Sequence, residues 1–94
     1  MNMPYVIGVG EIQAMTMEEQ PTKTLDARGL VCPEPVFRTK VAVDSLKVGE
    51  CLQVLADDPA AEQDIPSWAR RTGQEILSFR RDGRILTFMI RRTK

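Results

Sequence analysis

The dipeptide Asp82-Gly83 lies between two runs rich in β-favouring side chains, Glu75 to Arg81 and Arg84 to Arg92. An Asp-Gly link between such runs is a strong hairpin signal, because the favoured two-residue turns need positive φ. The last third of the chain is therefore expected to be two antiparallel strands. Gly73, just ahead of them, is a natural helix stop.

Working back from that hairpin, the rest of the chain divides at its turn residues. Thr22 to Ala27 reads as a short strand, and Arg28 to Cys32 as a connecting loop in which Gly29 can take φ > 0. Pro33-Glu34-Pro35 opens a helix. Proline suits a first helical turn, whose N–H groups have no intrahelical partner, and Glu34 favours the positive end of the helix dipole. The helix is predicted to run to about Leu46. Val36, Thr39, Ala42, Val43 and Leu46 make one stripe on it, against a sheet. Phe37 and Val41 fall on roughly the opposite side. Either they pad a wide buried face, or they form an exposed apolar patch where a partner docks.

Lys47 to Glu50 is a turn, Cys51 to Ala56 a strand, and Asp57-Asp58-Pro59 its stop. Asp58 is a candidate cap. A short turn from Pro59 to Gln63 should be followed by a helix capped by Asp64 and ending at Arg71, despite Pro66. Ile65, Trp68, Ala69 and Thr72 share one face of it. The predicted fold class is α/β: a two-layer α/β sandwich, β-α-β-α-β-β, with two helices on one face of a four-stranded mixed sheet.

Residues 1–22 differ from the rest. They hold four of the five methionines, no basic residue and no clear periodicity, and read as a flexible tail ahead of a domain at 23–94. Translation from Met17 is an alternative start. The apolar stretch Pro4 to Gly10 lacks preceding Lys or Arg and is short for a signal-peptide core, and no segment approaches a bilayer-spanning length. A cytoplasmic location without membrane contact is expected.

A single domain of 94 residues buries a modest core. That favours a carrier or binding module over an enzyme with a deep cleft. The formal charge is zero but unevenly spread: Arg70 to Lys94 carry 8 basic groups against 2 acidic. This basic stretch reads as a solvated face, or one that meets an acidic protein. No aromatic-rich basic run of the kind that stacks bases is present, so direct nucleic-acid binding is not expected. There are two cysteines, Cys32 and Cys51, and no histidine. Two thiols without imidazole cannot complete a four-ligand zinc site, and no Cys–His dyad can form within the chain.

Cys32-Pro33-Glu34-Pro35 therefore carries the chemistry. It places a thiol at a helix start, where unpaired backbone N–H groups and the dipole are expected to stabilise a thiolate or persulfide anion without any histidine. Spacing alone also fits a plain helix start with a cysteine cap. The wider run Leu25-Asp26-Ala27-Arg28-Gly29-Leu30-Val31-Cys32-Pro33-Glu34-Pro35 resembles the opening of the TusA/SirA-like family of sulfur-carrier proteins. A second matching block follows at Ala56-Asp57-Asp58-Pro59-Ala60 and Asp64-Ile65-Pro66. The resemblance covers about residues 23–92.

The resemblance implies that Cys32 bears the sulfur as a persulfide and that neither a metal nor an organic cofactor is bound. It implies a cysteine desulfurase or rhodanese-like donor and a downstream acceptor protein, on routes to tRNA thiolation, molybdenum-cofactor synthesis or sulfur oxidation. Arg28, Phe37, Val41, Asp57 and Asp58 are the residues expected to meet a partner, with turn and cap chemistry the other reading of the two aspartates. A non-catalytic regulatory or interaction module of the SirA-like type is the alternative function. Cys51, at the start of a core strand, reads as a small buried hydrophobe, or else as a resolving thiol for Cys32. Trp68 reads as core.

Overall fold

Residues alternating between buried and half-buried along Cys51–Ala56 define a strand that feeds its Leu52, Val54 and Ala56 side chains into one layer of the molecule. The computed structural model describes residues 20–94, so the expected tail and the alternative start at Met17 lie outside the described residues apart from Gln20 to Thr22. The elements are β1 (Lys23–Asp26), α1 (Glu34–Asp44), β2 (Cys51–Ala56), α2 (Ala61–Thr72), β3 (Glu75–Asp82) and β4 (Ile85–Arg91). The sheet order is β1-β2-β4-β3, with β1 parallel to β2 and the other pairs antiparallel. A parallel pair needs a long crossover, which α1 supplies.

The core follows from the register of the two central strands. Leu52 faces Ile90, Val54 faces Phe88 and Ala56 faces Leu86, and all six are buried. Onto this face pack Val43 and Leu46 from the α1 end, and Ala61, Ile65, Trp68 and Ala69 of α2. Burying each large apolar side chain is worth about 1.5–3 kcal/mol, so these cross-strand pairs and the two helical stripes are the main source of stability. Val36 and Ala42 pack at the margin of the same cluster, and Thr39 is buried with its hydroxyl donating to the Pro35 carbonyl at 2.7 Å. The open alternative for Phe37 and Val41 resolves toward exposure, at 57% and 51%.

Two local expectations are corrected. The turn at Pro59–Gln63 and the helix after Asp64 are one element: the Gln63 and Asp64 N–H groups both donate to the Ala60 carbonyl, at 3.2 and 3.0 Å. Pro66 thus lies inside α2, where it removes one backbone hydrogen bond. The buried face of Ile65, Trp68 and Ala69 outweighs that loss. At the hairpin, Asp82 pairs with Ile85, so Gly83 and Arg84 form the two-residue link, one position later than expected. Gly83 has φ +62, which places the glycine-requiring position inside the link. At the other end of α2, Gly73 is left-handed at φ 80, and the Gln74 N–H reaches back to the Ala69 carbonyl at 2.9 Å.

One side chain ties the last strand to the first helix. α1 has no basic residue in its last turn, and Arg92 supplies the missing cation from beyond β4. Its guanidinium donates to the carbonyls of Leu46, Asp44 and Val43 at 2.6, 3.1 and 3.4 Å. It thereby adds a cationic donor to carbonyl groups at and just past the helix end, where the dipole favours positive charge. Replacing Arg92 by Met is expected to lower the unfolding free energy by about 1.5–3 kcal/mol, read from urea melts, because charged hydrogen bonds to part-buried carbonyls are lost. An unchanged midpoint would show that the carbonyls are equally well served by water.

Candidate functional site

The loop between β1 and α1 is held by acidic side chains from the far end of β2 and from α2. Ala27 is fully buried and its N–H donates to the Leu55 carbonyl at 2.7 Å, closing the strand pair. The chain then turns. The Gly29 N–H donates to Oδ1 of Asp57 at 2.9 Å, with Gly29 at φ 85. The Cys32 N–H donates to Oδ2 of Asp58 at 2.7 Å, while Oδ1 of the same carboxylate accepts the Ala60 N–H at 3.4 Å. Asp58 is therefore shared between the cysteine loop and the chain entering α2. Pro33 follows through a cis peptide and stands at the N-cap of α1.

Cys32 is exposed, and its Sγ reaches Oδ2 of Asp64, in the first turn of α2, at 3.5 Å. Asp64 raises the thiol above its usual range, chiefly through this hydrogen bond; partial desolvation, the Asp64 charge and the Asp58 charge push the same way. The helix start expected to hold an anion offers few donors in this arrangement. Pro33 and Pro35 have no N–H, and the Glu34 N–H donates to the Val31 carbonyl at 2.9 Å. The positions expected to cradle the sulfur have no N–H left for it, and carboxylates face it instead.

The five residues expected to meet a partner fall into three groups. Phe37 and Val41 stand exposed beyond the cysteine loop on α1, together with Val31, which is 67% exposed and was not singled out in the sequence. Arg28 is exposed, but its guanidinium is engaged: Nε and Nη2 donate to the two oxygens of Asp26 at 2.8 and 2.9 Å. That pairing, with the Arg28 N–H as a further donor, lowers the Asp26 carboxyl to about 2. Asp57 and Asp58 are half-buried and bonded to loop amides. In the sequence Asp64 stands as a cap and within the second family-like block, with no role assigned at the sulfur. Its contact with Cys32 spans 32 positions, and nothing in local periodicity signals it.

Cys51 is buried at the start of β2, whereas the aspartates that hold the Cys32 loop follow the end of that strand. A strand of this length separates the two thiols by about 15–20 Å at about 3.3 Å per residue. A disulfide needs Cα atoms within about 7 Å, so Cys51 is not a resolving thiol in this fold. Among the described residues, no group of three or more His, Cys, Asp or Glu is placed to hold a metal ion, and no helix is long and apolar enough to cross a membrane. A shallow concavity of about 600 Å³ lies on the helix-free face of the sheet, lined by residues such as Gln53, Leu77, Thr87 and Met89. The Cys32 loop does not border it.

Cys32 thus stands exposed on the loop between β1 and α1, at the surface of a small α/β domain. Comparison with known proteins gives the family. The model of sulfurtransferase TusA matches residues 23–92, and the chain belongs to that family. It is 47% identical over 74 residues to a "Putative sulfur carrier protein" of Archaeoglobus fulgidus, covering 77% of this chain and 95% of that one. It is 41% identical over 70 residues to the "Putative sulfur carrier protein YrkI" of Bacillus subtilis, covering 74% and 93%. A solved SirA-like protein from Desulfitobacterium hafniense superposes with a TM-score of 0.68 at 28% identity, over 78% of this chain and all of that one. Family and relatives together make this chain a sulfur carrier protein.

The reactive form of a thiol is its anion, so the raised position of Cys32 has a direct readout. In a Cys51→Ala background, the rate of alkylation by iodoacetamide is expected to rise with pH through a midpoint above the ordinary thiol value of about 8.5. At neutral pH the folded protein should react more slowly than free cysteine. A midpoint at or below the ordinary value would contradict the Asp64 contact.

Proposed function

We propose that this protein accepts sulfane sulfur as a persulfide on Cys32 and delivers it, by direct contact, to an acceptor protein. The observation that carries the reading is the placement of Cys32: an exposed sulfur on a clamped loop, with the exposed apolar side chains of Val31, Phe37 and Val41 nearby. A persulfide projecting from that loop is reachable by a second thiol without any enclosing pocket. Exposed apolar side chains of this kind suit the core of a transient protein interface.

The family points to a cysteine desulfurase or rhodanese-like protein as donor. It points to tRNA thiolation, molybdenum-cofactor synthesis or sulfur oxidation as destinations. Loading needs no redox partner. Cys32 Sγ bonds to the terminal sulfur of the donor persulfide, the donor S–S bond breaks, and the donor leaves as a thiol. The Cys32 side chain starts as a thiol and ends as a persulfide. A resting thiol held protonated is also protected, because oxidation follows thiolate character.

Incubation with a cysteine desulfurase and cysteine is expected to add about 32 Da, one sulfur atom, to the intact protein. Cys32→Ser should abolish the gain while leaving the circular-dichroism spectrum and unfolding midpoint unchanged. A gain that survives in Cys32→Ser, or none in the wild type, overturns the carrier reading. Phe37→Asp places a charge in the apolar patch and is expected to slow loading from the desulfurase by about tenfold or more, the usual cost of removing a central aromatic contact. An unchanged rate would assign docking to another surface.

A further inference from the structure

The atom best placed to receive the Cys32 proton is a carboxylate oxygen, and the chain contains no histidine to compete for that role. Asp64 Oδ2 lies 3.5 Å from Sγ, and Asp64 makes no other side-chain hydrogen bond among the described residues. Its two acidic neighbours are already committed, Asp57 to the Gly29 N–H and Asp58 to the N–H groups of Cys32 and Ala60. The bridge made by Asp58 matters for geometry. One oxygen holds the backbone of Cys32 and the other holds Ala60, while the Ala60 carbonyl accepts the Asp64 N–H at 3.0 Å. The distance between Sγ and the Asp64 carboxylate is thus set by a short chain of hydrogen bonds rather than by two independent surface side chains.

We propose that Asp64 is a catalytic residue of the sulfur transfer, taking the Cys32 proton as the sulfur attacks and returning it to the departing thiolate. The proposal rests on the carrier reading above and assigns a second residue to the same site. The step balances without an oxidant or reductant. The S–H bond of Cys32 gives its proton to Asp64 Oδ2, and the electron pair left on Sγ forms a bond to the terminal sulfur of the donor persulfide. The donor S–S bond breaks with its electron pair on the donor sulfur, which then takes the proton from Asp64. One thiol and one persulfide enter, and one persulfide and one thiol leave. A base within hydrogen-bond reach of the proton it removes meets the geometric requirement for such a role.

The competing roles of Asp64 make opposite forecasts, so they separate in one experiment. Wild type, Asp64→Asn, Asp64→Ser and Asp64→Glu, all carrying Cys51→Ala, are reacted at pH 7.4 with iodoacetamide and separately with glutathione persulfide as a donor that needs no docking. Removing the carboxylate relieves the repulsion against a thiolate, so alkylation of D64N and D64S is expected to be faster than wild type. Transfer of sulfur, read as the gain of about 32 Da, is expected to fall by about tenfold or more in the same variants, with D64E retaining part of the rate. An electrostatic role alone would accelerate both reactions, and a structural role alone would change neither; transfer that is unchanged or faster in D64N and D64S overturns the proposal. Measuring two neutral variants keeps the test intact should one lose its circular-dichroism spectrum. A wild-type chain that gains no sulfur from either glutathione persulfide or a desulfurase overturns the carrier reading and this proposal with it. A wild type that loads while the neutral variants load as fast overturns this proposal alone.

Discussion

A single carboxylate, that of Asp58, accepts the N–H of Cys32 at 2.7 Å through one oxygen and the N–H of Ala60 at 3.4 Å through the other. Almost everything of functional interest depends on that bridge. Without it the loop after β1 and the start of α2 would be joined mainly through the sheet beneath them. With it, the backbone of Cys32 and the chain entering α2 share one carboxylate. Asp57, one residue earlier, clamps Gly29 in the same loop. The two aspartates at the end of a central strand thus turn the most regular part of the fold into a scaffold for its least regular part.

The electrostatics at Cys32 differ from the usual picture of a thiol activated by a helix start. The dipole of α1 and its first turn are present, but the prolines at Pro33 and Pro35 contribute no N–H and Glu34 turns its own toward Val31. The group in contact with the sulfur is the Asp64 carboxylate at 3.5 Å, and the sign of the perturbation follows that contact. The outcome is a thiol that is exposed and whose charged form is disfavoured. For a carrier this separates storage from reaction: an accessible thiol that is mostly neutral meets partners readily and stray oxidants slowly.

Much of the fold was legible in the sequence because its elements are punctuated by residues with a mechanical reason. β2 was readable from a run of β-favouring residues between a turn and Asp57-Asp58-Pro59, and its observed span, Cys51–Ala56, follows that run. Gly73 ended α2 where a left-handed residue was needed. Pro66 misled, since a proline argues for a break and only the buried positions of Ile65, Trp68 and Ala69 show why the helix continues through it. At the site, the sequence isolates Cys32 but not its neighbour. Local patterns describe residues three or four apart, whereas Asp64 meets Cys32 through the topology of the sheet. The electrostatic environment of the thiol was unreadable for the same reason.

The edge strand β3 carries a register shift between Ile76 and Ser78, and the charged residues Arg80, Arg81 and Asp82 lie farther along it. An edge with regular, uncharged pairing groups is a template for another molecule's strand. An extra residue at Leu77 throws the hydrogen-bonding groups on either side out of step, and the charges repel a close parallel surface. The margin of the sheet is thereby blunted against stacking. β3 therefore offers a poor template for a second strand, while Cys32 stands on the loop that follows β1, the strand at the other edge of the sheet.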